Sequence, residues 1–230
     1  AVMDAMFGNL WTLVRWLAPV LLLPIPVLAV PAADLGEVRP AVFVALSVRA
    51  SVEPEVLTEA TRQAARILLD AGLDPHLAVC VADAGAAPAC RSNFGAPRLW
   101  LRLTAERPGA RARTGETVFG RAFLGENRET GSIADIFVDR IRRYALQRDV
   151  AEALLLGHVL AHEIGHLLLD REAHPIAGVM SARWDRRQLI KASHGRLSFL
   201  PNESRAMRRR LFQRLAAPPQ DAGALAGLLR

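Results

Sequence analysis

The 230-residue chain is poor in cysteine, tyrosine and lysine, with two, one and one respectively. Cys80 and Cys90 are too few for a zinc ribbon, which needs two closely spaced pairs. They suffice for one disulfide around VADAGAAPA in an oxidising compartment, and otherwise read as two buried thiols. Aromatic residues make up only 6% of the chain, so its core has to be built from leucine, valine and alanine. Lys191 is the single lysine, and arginine therefore carries nearly all of the positive charge, for a net +6 and a sequence pI of about 10.7. Arginine clusters such as Arg140-Ile-Arg142-Arg143 and Arg208-Arg-Arg210 lie in amphipathic settings with no interleaved aromatics. Charge alone specifies no partner, and no nucleic-acid partner is expected. A composition of 51% hydrophobic and 23% charged residues excludes wholesale disorder, and the length fits one domain.

A clean membrane-spanning run is also missing. The apolar stretch from Leu17 to Val30 follows one positive charge, Arg15, but Pro19, Pro24 and Pro26 interrupt it. It ends in small residues, with Val27-Leu-Ala29 or Val30-Pro-Ala32 as cleavage sites. This is the layout of a secretory signal over residues 1–32, with an uncleaved N-terminal anchor as the alternative. The chain is thus expected to be exported, periplasmic or extracellular, and to meet a membrane only if the leader is kept. A single domain is expected over 33–216, followed by a flexible Pro/Ala/Gly-rich tail over 217–230.

Strands are predicted at 39–50, 76–82, 98–104 and 116–125, the third alternating cleanly as RLWLRLT. A helix is predicted over 52–73, with Val56, Leu57, Ala60, Ala64, Ile67 and Leu68 on one stripe and Gly72 at its end. Residues 130–148 begin extended and pass into a helix. Residues 149–170 form a long apolar helix with Asp149 as its N-cap, and 202–216 form a last amphipathic one. The class is α+β: a mixed sheet packed on one long helix.

That long helix carries the chemistry. His162-Glu163-Ile-Gly-His166 has the HExxH form, which random placement of the chain's histidines and glutamates would yield in about 0.8% of cases. Positions i and i+4 share one helix face, roughly 6 Å apart along the axis. Two imidazoles can therefore converge on one Zn²⁺, and Glu163 can act as general base towards its water. A catalytic zinc takes three protein ligands. His158 is about 12 Å along the axis from His166, too far for a straight helix to share one ion, and reads as packing or support. His174 can be the third ligand only if the helix breaks between about 169 and 173 and turns back. Pro175 pushes His174 out of helical conformation, but the break has no glycine, so Asp170 would have to take the left-handed conformation. Glu172 is the alternative third ligand.

The stretch resembles the metzincin clan of zinc peptidases, whose pattern is HExxHxxGxxH followed by a methionine turn. His162, Glu163 and His166 match it; Leu169 replaces the glycine, Glu172 stands at the third histidine, and His174 comes two residues later. Gly178-Val179-Met180 resembles the Met-turn, and its closeness to His174 is similar to archaemetzincins. Residues 118–215 also resemble uncharacterised secreted bacterial proteins carrying HEIGHLLL…H…GIM. The resemblance implies a metzincin-like fold and a zinc-dependent peptidase acting on peptides or proteins. In it His162, His166 and His174 hold Zn²⁺, Glu163 works as base, and Met180 is the Met-turn residue. It also implies that the extended SIADIFVDRI segment offers a strand edge to substrate. The competing expectation is a non-catalytic zinc-binding structural or interaction protein.

Overall fold

The structure is a computed structural model that describes residues 38–81, 98–105, 118–125 and 132–216. The predicted leader, the C-terminal tail and Cys90 lie outside the described residues. Cys80 is disulfide-bonded.

The described elements run β1 (Ala41–Val48), α1 (Pro54–Asp70), β2 (Asp74–Val81), β3 (Arg98–Thr104), β4 (Gly120–Phe123) and β5 (Ile133–Phe137). Four helices follow: α2 (Val138–Arg148), α3 (Glu152–Leu169), α4 (Arg186–Ser193) and α5 (Pro201–Ala216). Alternation in the strands decides which face is covered. Leu99, Leu101 and Leu103 of β3 are buried while the residues between them are not, and Ala134 and Ile136 of β5 repeat the pattern. Together with Val42, Val44 and Leu46 of β1 they form the sheet side of the core. Each such leucine contributes on the order of 1.5–3 kcal/mol through burial.

The five strands form one mixed sheet in the order β2-β1-β3-β5-β4. β1, β2, β3 and β5 are parallel neighbours, whereas β4 pairs antiparallel with β5, placing Gly120 opposite Ile136 and Phe123 opposite Ile133. A parallel pair needs a long crossover, and α1 supplies it between β1 and β2. α1 starts with Pro54, a residue suited to the first helical position, and buries Leu57, Ala60, Ala64, Ile67 and Leu68. It ends before Gly72, at φ 77°.

α3 is apolar almost all round, as a helix enclosed on several sides must be. It touches β3, β4, β5 and every other described helix. No helix among the described residues is long and apolar enough to cross a membrane. This chain of contacts makes α3 the rigid axis from which the site projects.

Two sequence expectations need correction, and one helix is added. Asp149 is not the N-cap of α3: it closes α2 in left-handed conformation (φ 53°, ψ 50°), and Ala151 takes the N-cap place with no side-chain bond. Only three residues separate the two helices, so the aspartate before the apolar run serves the helix behind it. The SIADIFVDRI segment offers no free edge either, because β5 lies between β3 and β4; the edge is β4. The added helix is α4, where no element is predicted from the sequence. Its start is a capping box in which Asp185 accepts from the Gln188 amide (2.9 Å) and Gln188 accepts from the Asp185 amide (3.1 Å).

Left-handed conformation costs a non-glycine residue roughly 1–2 kcal/mol. Asp149 is exposed, so Asp149→Gly should raise the urea midpoint, with a gain in unfolding free energy of about 0.5–1 kcal/mol after glycine's entropy in the unfolded chain is deducted. Asp149→Val should lower it. Equal midpoints for the two variants would contradict the backbone assignment.

Candidate metal centre

α3 stops at Leu169 because Asp170 turns left-handed, at φ 47° and ψ 53°, while its N–H still donates to the His166 carbonyl at 2.8 Å. This is the break that the sequence required without a glycine to make it. The chain then runs back beside the helix. Val179 N–H donates to Ser198 O at 2.9 Å, fixing the returning turn.

The turn places two carbonyls against the histidines. His162 Nδ1–H donates to Val179 O at 2.8 Å, and His166 Nδ1–H donates to Arg171 O at 2.7 Å. A carbonyl can only accept, so both rings carry their proton on Nδ1 and leave a lone pair on Nε2. Those lone pairs converge. His166 Nε2 lies 2.9 Å from His162 Nε2 and 3.0 Å from His174 Nε2, and one ligand atom from each of the three residues lies within 4.8 Å of the others. Tetrahedral zinc with nitrogens at about 2.0–2.1 Å would set its ligands roughly 3.3 Å apart. Three imidazole Nε2 atoms converging at this spacing fit a divalent cation of zinc's kind, so His162, His166 and His174 together could hold a metal.

His166 is buried, His162 half-buried and His174 exposed, which opens the cluster to solvent on one side. Glu172 is exposed and is not a member of the cluster. His158 also stays outside it, fully buried, with Nδ1–H donating to Leu154 O at 2.8 Å and its ring edge-on to Trp184. Trp184, which no sequence pattern marked, stands edge-on to His162 as well, at 6.1 Å between ring centres. Met180 is fully buried beneath the helix. A side chain at Gly165 would run into the Met180 sulfur and would approach Phe199 to 2.7 Å, so glycine is what lets the turn come this close.

Glu163 is set in a different environment from its neighbours. Its side chain is buried, Oε2 has no protein partner, and Gly120 at the start of edge strand β4 presses on the carboxyl. A Cβ at position 120 would sit 2.5 Å from Glu163 Oε1 and 2.9 Å from the Asp135 carbonyl. Burial pushes the Glu163 carboxyl up to about 8. Burial likewise drives His162 down to about 3, with the charge of His166 adding to it, and lowers His166. Without metal, the structure therefore favours neutral rings and a protonated carboxyl.

No protein-family model matches the chain, and neither does any curated protein. Among solved structures it is similar to archaemetzincin from Methanopyrus kandleri. The two share 18% identity at a TM-score of 0.45, over 77% of this chain and 98% of that one. At that level of likeness, function has to be argued from the side chains of the site.

The protonation pattern makes metal-free stability depend on pH in two opposite ways. His162, near 6.5 when unfolded and about 3 when folded, contributes fully above 6.5 and loses that contribution as pH falls. Glu163, at 4.5 unfolded and about 8 folded, contributes fully below 4.5 and loses its contribution as pH rises to 8. Each group alters stability by about 1.4 kcal/mol per pH unit within its window. His166 adds to the acid-side loss, so the EDTA-treated protein should be most stable near pH 6.5. In urea titrations Glu163→Gln should flatten the decline from pH 6.5 to 8, steepen the rise between 4.5 and 6.5, and leave the slope below 4.5 unchanged. An unchanged alkaline decline would show that Glu163 is not its source.

Proposed function

We propose that this chain is a zinc-dependent peptidase in which His162, His166 and His174 hold Zn²⁺ and Glu163 is the general base. The observation that carries the reading is the convergence of three Nε2 atoms, two on α3 and that of His174 from beyond its break, open on the His174 side and beside a buried carboxyl of the same helix whose Oε2 has no partner. When bound, zinc supplies a Lewis acid that acidifies water and polarises a peptide carbonyl. A cation beside Glu163 would favour its ionised form, opposing the burial that raises its pKa. Glu163 then takes a proton at a carboxylate oxygen as water attacks, and can return it to the leaving amine. The carbonyls of Val179 and Arg171 hold two of the rings in the tautomer that keeps Nε2 free.

Substrate would pair with β4, the edge strand that touches α3 and carries Gly120 against Glu163; an open edge can hold an extended peptide by main-chain bonds. Arg121 and Phe123 lie on this strand. Export fits the disulfide at Cys80, since such bonds persist in oxidising compartments. A closed structural zinc site would need a fourth protein ligand, and Glu172, the alternative ligand by spacing, is exposed and is not among the residues whose ligand atoms converge.

Two experiments test the assignment. Metal content of the purified chain should be near one zinc per molecule in the wild type and in Glu172→Ala, and should fall sharply in His174→Ala. Loss in Glu172→Ala instead would move the third ligand there. Glu163→Ala should keep zinc and lose peptide hydrolysis, by on the order of 10²–10⁴-fold or more. Gly120→Val should also keep zinc while lowering turnover, because it forces the Glu163 carboxyl aside. Hydrolysis by metal-loaded Glu163→Ala at the wild-type rate would contradict the role given to this residue.

A further inference from the structure

α5 is distant in sequence from the histidines, yet it contacts the break after α3 at three points. Arg214 Nη2 donates to the Leu167 carbonyl at 2.6 Å, in the last turn of α3. Arg210 lies 3.8 Å from the Asp170 carboxylate, at the left-handed residue itself. Glu203, only 1% exposed, accepts from Arg171 Nη2 at 2.9 Å and from the Leu200 N–H at 2.9 Å.

The Glu203 contact bears most directly on the site. Arg171 is the residue whose carbonyl receives the His166 Nδ1–H at 2.7 Å. One continuous path thus runs from the Leu200 amide through the Glu203 carboxylate and Arg171 to His166, whose Nε2 faces that of His174 at 3.0 Å. Burying a carboxylate is expensive, and such a pair adds little stability compared with apolar packing of the same volume. What it does well is fix one conformation. A conformation needs fixing here: the break rests on a non-glycine left-handed residue, and the third histidine is in reach only while the break holds. A carbonyl also orients an imidazole only if it is itself held in place.

We propose that Glu203, acting through Arg171, is a positioning residue for the histidine cluster, locking the helix break that brings His174 onto His166. The proposal rests on the reading of that cluster as a metal site. It assigns to the last helix a part in building the site, beyond covering the core.

The test compares the wild-type chain, Glu203→Gln, Arg171→Lys and Leu46→Ala. Leu46 is a fully buried β1 residue, so its truncation lowers stability without touching the break. Zinc affinity is read by competition with a chromophoric chelator, and the break by hydrogen exchange of the Asp170 amide, which is bonded to His166 O. Glu203→Gln should weaken zinc binding by about 10-fold or more and speed exchange at Asp170 more than at Ala64 in α1. Arg171→Lys, which keeps the charge, should fall between it and the wild type. Leu46→Ala should lower the urea midpoint and leave zinc affinity within about 2-fold, a split that general destabilisation would not produce. Wild-type zinc affinity and Asp170 protection in Glu203→Gln would overturn the proposal. A wild type that binds no zinc would overturn the metal reading, and the exchange comparison would still decide whether Glu203 holds the break.

Discussion

The site depends on one backbone event, the left-handed turn at Asp170. Before it, α3 presents His162 and His166 one turn apart on a common face. After it, the three residues 171–173, without regular structure, bring His174 back to within 3.0 Å of His166. A helix continued by eight residues would have put His174 roughly 12 Å beyond His166. The turn opposes the intrinsic preference of an aspartate, so it has to be held by its surroundings. The carbonyls of Leu167 and Arg171, the carboxylate of Asp170 and the α5 side chains are where that hold is visible.

The rest of the fold serves this turn by keeping α3 still. The helix is apolar on nearly every side and is enclosed by the sheet, α1 and the three other helices. Small residues bring two partners unusually close: Gly165 admits the Met180 turn from below, and Gly120 admits the β4 backbone against Glu163. Burial then sets the chemistry. It keeps the His162 and His166 imidazoles neutral, as metal binding would require, and holds a carboxyl protonated that a nearby cation would ionise. On the proposed reading stability and reactivity are opposed here, since a buried carboxyl whose Oε2 has no partner destabilises the metal-free protein and would serve as the base in the loaded one.

Local pattern made much of this legible in the sequence. Alternating leucines fix β3 at 98–104, and the apolar stripe with Gly72 gives α1 to within a few residues. Histidine spacing and Pro175 together require a break near residue 170, and the structure has one. What stayed hidden is non-local or depends on context. Strand order decides that β4, not β5, is the edge, and no run of residues within either strand encodes that. Asp149 has the look of an N-cap because an apolar helix follows, yet the helix before it claims the residue. α4 is short, and its Asp185–Gln188 capping box is its one local sign in the sequence. The pairing of Glu203 with Arg171 spans 32 positions and reads locally as two more surface charges.

The central claim is that three imidazoles, and no other protein group, hold one metal ion with a side left open. Zinc X-ray absorption on the loaded wild-type chain measures this directly. Three nitrogen scatterers with imidazole character at about 2.0–2.1 Å, plus one light atom lost or lengthened when a chelating inhibitor such as a hydroxamate is added, would agree with it. Four protein ligands unaffected by the inhibitor would contradict it and make the site a structural one.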